Sequence, residues 1–463
     1  MMKNDGIQTG MRVVVMGLGI SGRAAVRYLL SCGARVTVSD ARSAFQMRQE
    51  ELDFLSASRV NVEYGGHSAT FLHQADMIMV SPGIPFDLPV LMEARVRGIP
   101  VVGELAVAGP AITVPVIAIT GTNGKTTVTS LIGELLQCSG KKVFVGGNIG
   151  TPLFDYLCEP TPVDVVVLEV SSFQLETAGD FRPDVALLLN VTPDHLDRHG
   201  DLAGYAAAKK RIFVNQHKND IAILGGDDPL CREMAASFKD RKPLLFGHQH
   251  DCQARTSTDR VVVDLDGVVE TYNLTGTALA GTTGALNSAA AILAVCSIDC
   301  SPGDIQKGLT QFIPGPHRLA KVCEIKGVAY YDDSKATNTG AVLSALMQFP
   351  GNVILIAGGR DKGDDYGLLR AIVGEKVKKL VLIGEAADKI AAELHGVVEI
   401  EFAASMEEAV GLAGRMARSG DTVLLSPACS SFDMFDNYGQ RGKAFVAAVE
   451  RLKALQAENE LCR

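Results

Sequence analysis

The 463-residue chain has no block of lysine and arginine, no CxxC pair and no uninterrupted apolar run long enough to span a bilayer. With a formal net charge of −9, it offers no electrostatic footprint for nucleic acid or an anionic membrane surface. Any anionic ligand must therefore be gripped by local groups. The 10 cysteines are scattered, only Cys296 and Cys300 lying close together, which predicts reduced thiols in a cytoplasmic enzyme rather than a disulfide framework. The opening "MMKNDGIQTGMRVVV" lacks a basic flank, an apolar core and a small-residue cleavage site, so no secretion signal is expected. Residues 271–298 carry no charge, but Asn273, Gly276, Gly281, Thr282, Thr283, Gly284 and Asn287 interrupt them. Only 289–298 are densely apolar, which predicts a buried helix.

At roughly 150 residues per domain, the length predicts about three domains. Apolar runs alternate with longer helical patterns nearly throughout, the pattern of α/β units with mostly parallel sheets and crossover helices. "MRVVVMGLGISGRAAVRYLLSCGARVTVSD" opens the first unit, "VPVIAITGTNGK" the second and "GVAYYDDSKATNTGA" the third, after a Pro/Gly break at "FIPGPHRLA". The expected domains are 1–105, 106–314 and 315–463.

"AITGTNGKTT" has the composition of a phosphate loop between a strand and a helix. Gly121 and Gly124 let backbone N–H groups approach phosphate oxygens, and the helix N-terminus adds positive potential. Lys125 can then offset charge on the β- and γ-phosphates, and Thr126 can ligate Mg²⁺. A plain capped turn would not call for the Lys-Thr pair. Ile119 stands where the commoner, longer loop has a glycine, so this is a shortened variant.

Ligands of parallel sheets gather at the carboxyl ends of strands. Glu169 ends "VDVVVLE", and Asn190, Asp194, His195 and Asp197 follow "DVALLLN", so these groups are expected at the edge of the loop. A carboxylate there suits Mg²⁺, although a solvated acid is the plain alternative for Glu169. His195 reads equally as a capping residue or as a metal or substrate contact. His195 and His199 are four apart but lack the intervening glutamate of HExxH and a third ligand nearby, which argues against zinc. In "YAAAKKRIF", residue chemistry does not choose among Lys209, Lys210 and Arg211, which by themselves read as a solvated basic face. Gly17, Gly19 and Gly22 form G-x-G-x-x-G between a strand and a helix, with Asp40 ending the next strand. This fingerprint supports a nicotinamide-dependent oxidoreductase or any other binder of a nucleotide diphosphate.

"GTNGKTT", "EVSSFQLE", "NVTPDHLDRHG", "YAAAKKRIF", "GPHRL" and "DDSKATN" together resemble the Mur ligases, ATP-dependent amide-forming enzymes of peptidoglycan precursor synthesis, in order along nearly the whole chain. "GLGISG", "DDSKATN" and "SPACSSFDMFDNYGQRG" are similar to the branch that adds D-glutamate to UDP-N-acetylmuramoyl-L-alanine. A family member acting on another amino acid is the nearest alternative. The resemblance implies a Rossmann-like N-terminal domain, a central P-loop ATPase-like domain and a Rossmann-like C-terminal domain. It implies that Ile20, Ser21, Asp40, Arg42, Gly83 and Asn148 hold the UDP-substrate, so that the glycine fingerprint receives UDP. Gly121, Thr122, Asn123, Gly124, Lys125, Thr126 and Thr127, with Asn287, Arg318 and Asp333, would hold ATP. Thr126, Glu169, His195 and a carbamylated Lys209 would hold Mg²⁺ or Mn²⁺, with Lys335 near the transferred phosphate. Thr337, Lys362, Ser431 and Tyr438 would hold D-glutamate, Tyr438 standing where the family usually has Phe. Lys125, Lys209, His195 and Lys335 are the residues implied in catalysis. The resemblance also implies a cytoplasmic monomer with no nucleic-acid or membrane partner.

Overall fold

The computed structural model describes residues 6–461. Its Val-, Ile- and Leu-rich runs form three sheets flanked by helices, as strands apolar on both faces require. The first sheet comprises β1 (Arg12–Met16), β2 (Arg35–Asp40), β3 (Asn61–Tyr64), β4 (Met77–Val80) and β5 (Val101–Val102) in the order β3-β2-β1-β4-β5, all parallel.

The central sheet comprises β6 (Val116–Thr120), β7 (Val143–Gly147), β8 (Val165–Glu169), β9 (Val185–Leu188), β10 (Ile221–Gly225), β11 (Leu244–Gly247), β12 (Ala254–Ser257), β13 (Arg260–Leu265) and β14 (Val268–Asn273). Its order is β14-β13-β12-β11-β10-β9-β6-β8-β7. β7 to β12 run parallel, while β13 and β14 extend the edge antiparallel. The third sheet comprises β15 (Ala320–Ile325), β16 (Val328–Asp332), β17 (Val353–Gly358), β18 (Val377–Ile383), β19 (Glu399–Phe402) and β20 (Thr422–Leu425), in the order β15-β16-β20-β17-β18-β19. Only its β15–β16 pair is antiparallel. The α/β, three-sheet, mostly parallel architecture is the one expected.

By contact, the chain forms two compact units. The first holds residues 6–191, 203–280 and 284–312 with the first two sheets; the second holds 192–202, 281–283 and 313–461 with the third.

In the central sheet, the helix Lys125–Cys138 buries Val128, Leu131, Ile132, Leu135 and Leu136, a stripe at three- and four-residue spacing. The uncharged stretch forms the helix Thr282–Cys296, fully buried over 289–295 within the same core. Among the described residues, no helix is long and apolar enough to cross a membrane.

The first two sheets are joined inside one unit. Arg27 places two nitrogens on Asp155 at 2.7–2.9 Å, and the Tyr28 and Phe154 rings stack at 4.8 Å. Beside them the buried Glu104 accepts the Phe154 amide at 3.0 Å. Burial pushes the Glu104 pKa up to about 7, although its backbone hydrogen bonds oppose the rise. A carboxyl with a raised folded-state pKa favours the fold when protonated. The contribution is complete below the ordinary value of 4.5 and is lost as pH rises through about 7. Glu104→Gln keeps the acceptor without the charge. Its stability relative to the parent, measured by urea unfolding, should rise by roughly 2–3 kcal/mol between pH 4.5 and pH 8. A pH-independent difference would show that Glu104 ionises freely.

Candidate functional site

Three strand-end clusters carry the candidate residues. In the first sheet the turn after β1 is set by Gly17 at φ +83° and by the approach of the next helix, where a Cβ on Gly22 would lie 1.9 Å from the Gly17 carbonyl oxygen. Asp40 accepts from the Leu18 amide at 2.8 Å, the Arg42 amide at 2.9 Å and two Arg42 side-chain nitrogens at 3.0 Å each. Burial alone would raise the Asp40 pKa, but the hydrogen bonds and charge of Arg42 and the Leu18 amide hold it below the usual carboxylate range. Arg42 also reaches both oxygens of the buried Glu51 at 3.2 Å. Four donors, three of them from Arg42, thus engage the Asp40 carboxylate. Ile20 and Gly83 lie exposed at this turn and Ser21 is partly exposed.

In the central sheet the chain reverses at β6, between β9 and β8, and the turn 121–124 occupies this switch point. Gly124 sits at φ +84°, where a Cβ would come within 2.6 Å of the Asn287 Oδ1, so only glycine fits beside Asn287. The turn is clamped by Asn190, whose carbonyl accepts from the Thr122 amide at 3.0 Å. Its Oδ1 accepts from the Asn123 amide at 2.8 Å and its Nδ2 donates to the Asn123 carbonyl at 3.1 Å.

Lys125 Nζ donates to the carbonyls of Gly121 and Thr122 at 2.8 Å each, and Lys209 Nζ donates to the same Gly121 carbonyl at 2.7 Å. The Thr126 hydroxyl donates to Glu169 Oε2 at 2.6 Å, and Asn148 Nδ2 donates to Oε1 at 2.8 Å. Lys125, Thr126, Glu169 and Lys209 therefore converge on one turn. Lys209 is 1% exposed and lies 4.3 Å from the Tyr205 ring centroid, whereas Lys210 and Arg211 are exposed. Burial thus makes the choice that residue type could not, and Lys209 is not part of a solvated face.

Thr126 and Glu169 present a hydroxyl and a carboxylate, oxygen donors that suit a hard divalent cation whose shell phosphates would complete. The set fits such an ion only if Lys209 loses its positive charge. No group of three or more His, Cys, Asp and Glu side chains among the described residues forms a preassembled metal site.

The candidate residues after β9 divide. Asn190 stands at the turn, but 192–202 pack with the second unit. There His195 begins the short helix Leu196–His199 from a left-handed backbone, with Nε2 3.7 Å from Asp194. Asp194 pairs with Lys362 at 2.6 Å. Asn190 thus belongs to the first unit and Asp194 and His195 to the second, where the Asp194–Lys362 ion pair ties their segment to residues far along the chain.

In the third sheet the candidates follow β16, β17 and β20, three adjacent parallel strands. Asp333 accepts from the Leu319 amide at 3.1 Å and the Ser426 hydroxyl at 3.0 Å, and its burial raises its pKa to about 7. Lys335 Nζ lies 4.0 Å from the Tyr438 ring centroid. Ser431 is buried, Thr337 partly so, and Arg318 follows His317, whose Nδ1 is 2.6 Å from Asp332.

One residue that sequence reasoning passed over holds these ends together. Arg441, 1% exposed, donates to the Ser334 hydroxyl at 3.0 Å, the Ser334 carbonyl at 2.8 Å and the Cys429 carbonyl at 2.9 Å. Burial lowers its pKa to about 10. An arginine one turn into a helix reads as a surface residue, and no local pattern marks it otherwise.

This arrangement, nucleotide-type turns on two sheets and a basic and hydroxylic cluster on the third, coincides with three family models. The chain matches the MurD-like N-terminal domain of Mur ligases over residues 11–103, the Mur ligase middle domain over 119–295 and the Mur ligase glutamate ligase domain over 317–429. The chain belongs to the Mur ligase family. It is 51% identical to the UDP-N-acetylmuramoylalanine--D-glutamate ligase of Desulfotalea psychrophila, with 97% of this chain and 98% of that one covered. It is 46% identical to the protein of that name from Koribacter versatilis, over 96% and 98%. Among solved structures, MurF ligase from Thermotoga maritima in complex with ADP shares the fold at TM-score 0.61 and 18% identity, covering 97% of each chain. A pseudomurein peptide ligase type C from Methanothermus fervidus does so at TM-score 0.61 and 21% identity, covering 96% of this chain and 100% of that one.

Arg441→Met would leave the Ser334 and Cys429 carbonyls without their partner. It should lower stability by roughly 2–4 kcal/mol in urea unfolding, far more than an exposed arginine would. A change under about 0.5 kcal/mol would mean that the clamp is not formed in solution.

Proposed function

We propose that the chain is an ATP-dependent carboxylate–amine ligase that adds D-glutamate to UDP-N-acetylmuramoyl-L-alanine, giving ADP and phosphate, in peptidoglycan precursor synthesis. Relatives at 41–51% identity over nearly their whole length carry the name of that reaction. The observation that carries the reading is the convergence of Lys125, Thr126, Glu169 and Lys209 on the Gly121 turn.

An amine does not displace oxide from a carboxylate, so the alanyl carboxylate must first become an acyl phosphate. Its oxygen attacks the γ-phosphorus and ADP leaves; the amine of D-glutamate then attacks the carbonyl carbon, losing a proton, and phosphate leaves. Backbone N–H groups of residues 121–127 cradle the phosphates at the helix N-terminus, and Lys125 moves from its own loop carbonyls to the β- and γ-oxygens. Asn190 keeps the turn rigid, so little reorganisation accompanies transfer. Asn287, packed on Gly124, and Arg318 and Asp333 complete the nucleotide contacts.

Thr126, Glu169, His195 and Lys209 are the residues that would hold Mg²⁺, or Mn²⁺ in its place. The ion supplies charge stabilisation of the transferring phosphoryl group when bound. For Lys209 this requires carbamylation: its neutral amine adds to CO₂, a proton is released, and an ammonium becomes a carboxylate-like oxygen donor. Its burial beside the Gly121 turn supports this reading. Lys335 steadies the phosphate in transit.

Ile20, Ser21, Asp40, Arg42, Gly83 and Asn148 hold the UDP-substrate, Asp40 also fixing the Leu18 amide and Arg42. Thr337, Lys362, Ser431 and Tyr438 receive D-glutamate. The match of residues 11–103 to the MurD-like N-terminal domain weighs against the nicotinamide alternative. We read the enzyme as a cytoplasmic monomer.

Lys125→Ala should reduce ADP release that depends on both UDP-N-acetylmuramoyl-L-alanine and D-glutamate by at least about 10³-fold. Unchanged turnover would remove the loop from the mechanism. Enzyme depleted of CO₂ should regain activity on addition of bicarbonate, and indifference to bicarbonate would exclude a modified Lys209.

A further inference from the structure

The carboxylate-binding role read for Lys362 meets a complication in the second unit. Lys362 already has a carboxylate partner, Asp194 Oδ1 at 2.6 Å, with side-chain exposures of 15% and 8%. Asp194 Oδ2 accepts from Asn338 Nδ2 at 3.1 Å and lies 3.7 Å from His195 Nε2. Asn338 is itself fixed, since its Oδ1 caps the helix Thr339–Leu346 by accepting from the Ala341 amide at 2.8 Å. Lys362, Asn338 and His195 thus all face the two oxygens of Asp194.

A second acid is close by. Asp364 is buried, its Oδ2 has no hydrogen-bond partner, and it interacts electrostatically with both Lys362 and Asp194. Lys362 thus already interacts with two acids, one of them in direct contact. A ligand carboxylate arriving on Lys362 with both in place would make three acids on one cation in a partly buried site, and like-charge crowding of that kind is strongly unfavourable. One internal acid has to give way. Asp194 has somewhere to go, because Asn338 and His195 are already within reach of its other oxygen.

We propose that Asp194 is an internal stand-in for the amino-acid carboxylate: it holds the Lys362 ammonium in place and aimed, and releases it when D-glutamate docks. The residue is then a positioning residue that sets amino-acid affinity. The proposal rests on the reading of Lys362 as the carboxylate-binding group.

Asp194→Asn keeps the shape and an acceptor oxygen but removes the competing charge. The Kd of D-glutamate for the full chain can be measured calorimetrically with UDP-N-acetylmuramoyl-L-alanine and a non-hydrolysable ATP analogue saturating, so that turnover does not enter. It should tighten roughly three- to tenfold in Asp194→Asn, with the affinity for the ATP analogue unchanged. Lys362→Met should weaken D-glutamate by at least about thirtyfold, and adding Asp194→Asn to it should bring no further gain. If Lys362→Met leaves the affinity unchanged, the Lys362 reading itself fails. If Lys362→Met weakens binding while Asp194→Asn leaves it equal or weaker, that reading survives and the stand-in is overturned. Asp194→Ser removes the same charge and serves, with the same expectation, if Asp194→Asn does not fold.

Discussion

The parallel register of β6 with β8, which sets Ile119 opposite Glu169, is the constraint on which the rest of the central cluster depends. It ends the two strands together, so that the chain leaving β6 turns directly beside the carboxylate ending β8. The first turn of the following helix then delivers Thr126 to that carboxylate at 2.6 Å. A one-residue slip would send Glu169 to the other face of the sheet and dissolve the pairing. The fully buried Val, Ile and Leu residues of these strands make such a slip prohibitive, so core packing fixes the geometry of the polar cluster.

Charge at this cluster is set locally. Two lysines meet at the Gly121 carbonyl while one carboxylate faces a hydroxyl and an amide, so the neighbourhood is positive as its residues stand. That suits a triphosphate more than a free cation. Converting Lys209 into a carbamate would reverse one of those charges and turn an anion cradle into a joint site for an anion and a divalent ion. A molecule of net charge −9 without a basic patch can in this way bind highly anionic substrates through short-range groups alone.

Much of this was legible in the chain because it is written in short spacings. Gly121, Gly124, Lys125 and Thr126 lie within six residues, and Glu169 announces itself at the end of an apolar run. The alternation of strand and helix made the three-sheet architecture equally readable. Burial was less visible: Lys209 and Lys210 are adjacent and chemically alike, yet only the first is inside. Long-range pairing was invisible. Asp194 and Lys362 are 168 positions apart, and Arg441 closes on Ser334 across 107. The fingerprint at Gly17, Gly19 and Gly22 was readable but ambiguous, because a strand, a glycine turn and a helix serve any nucleotide diphosphate alike.

The joint formed by Arg27 with Asp155, Tyr28 on Phe154, and Glu104 at the Phe154 amide makes the first two sheets a single compact body. The turn after β1 and the turn after β6 are then held at a set separation, like the jaws of a fixed calliper. If the proposed substrate is anchored at one jaw, it would reach the other only when its own span matches. Selection by length would then come from the scaffold, independent of any side chain that touches the reacting end.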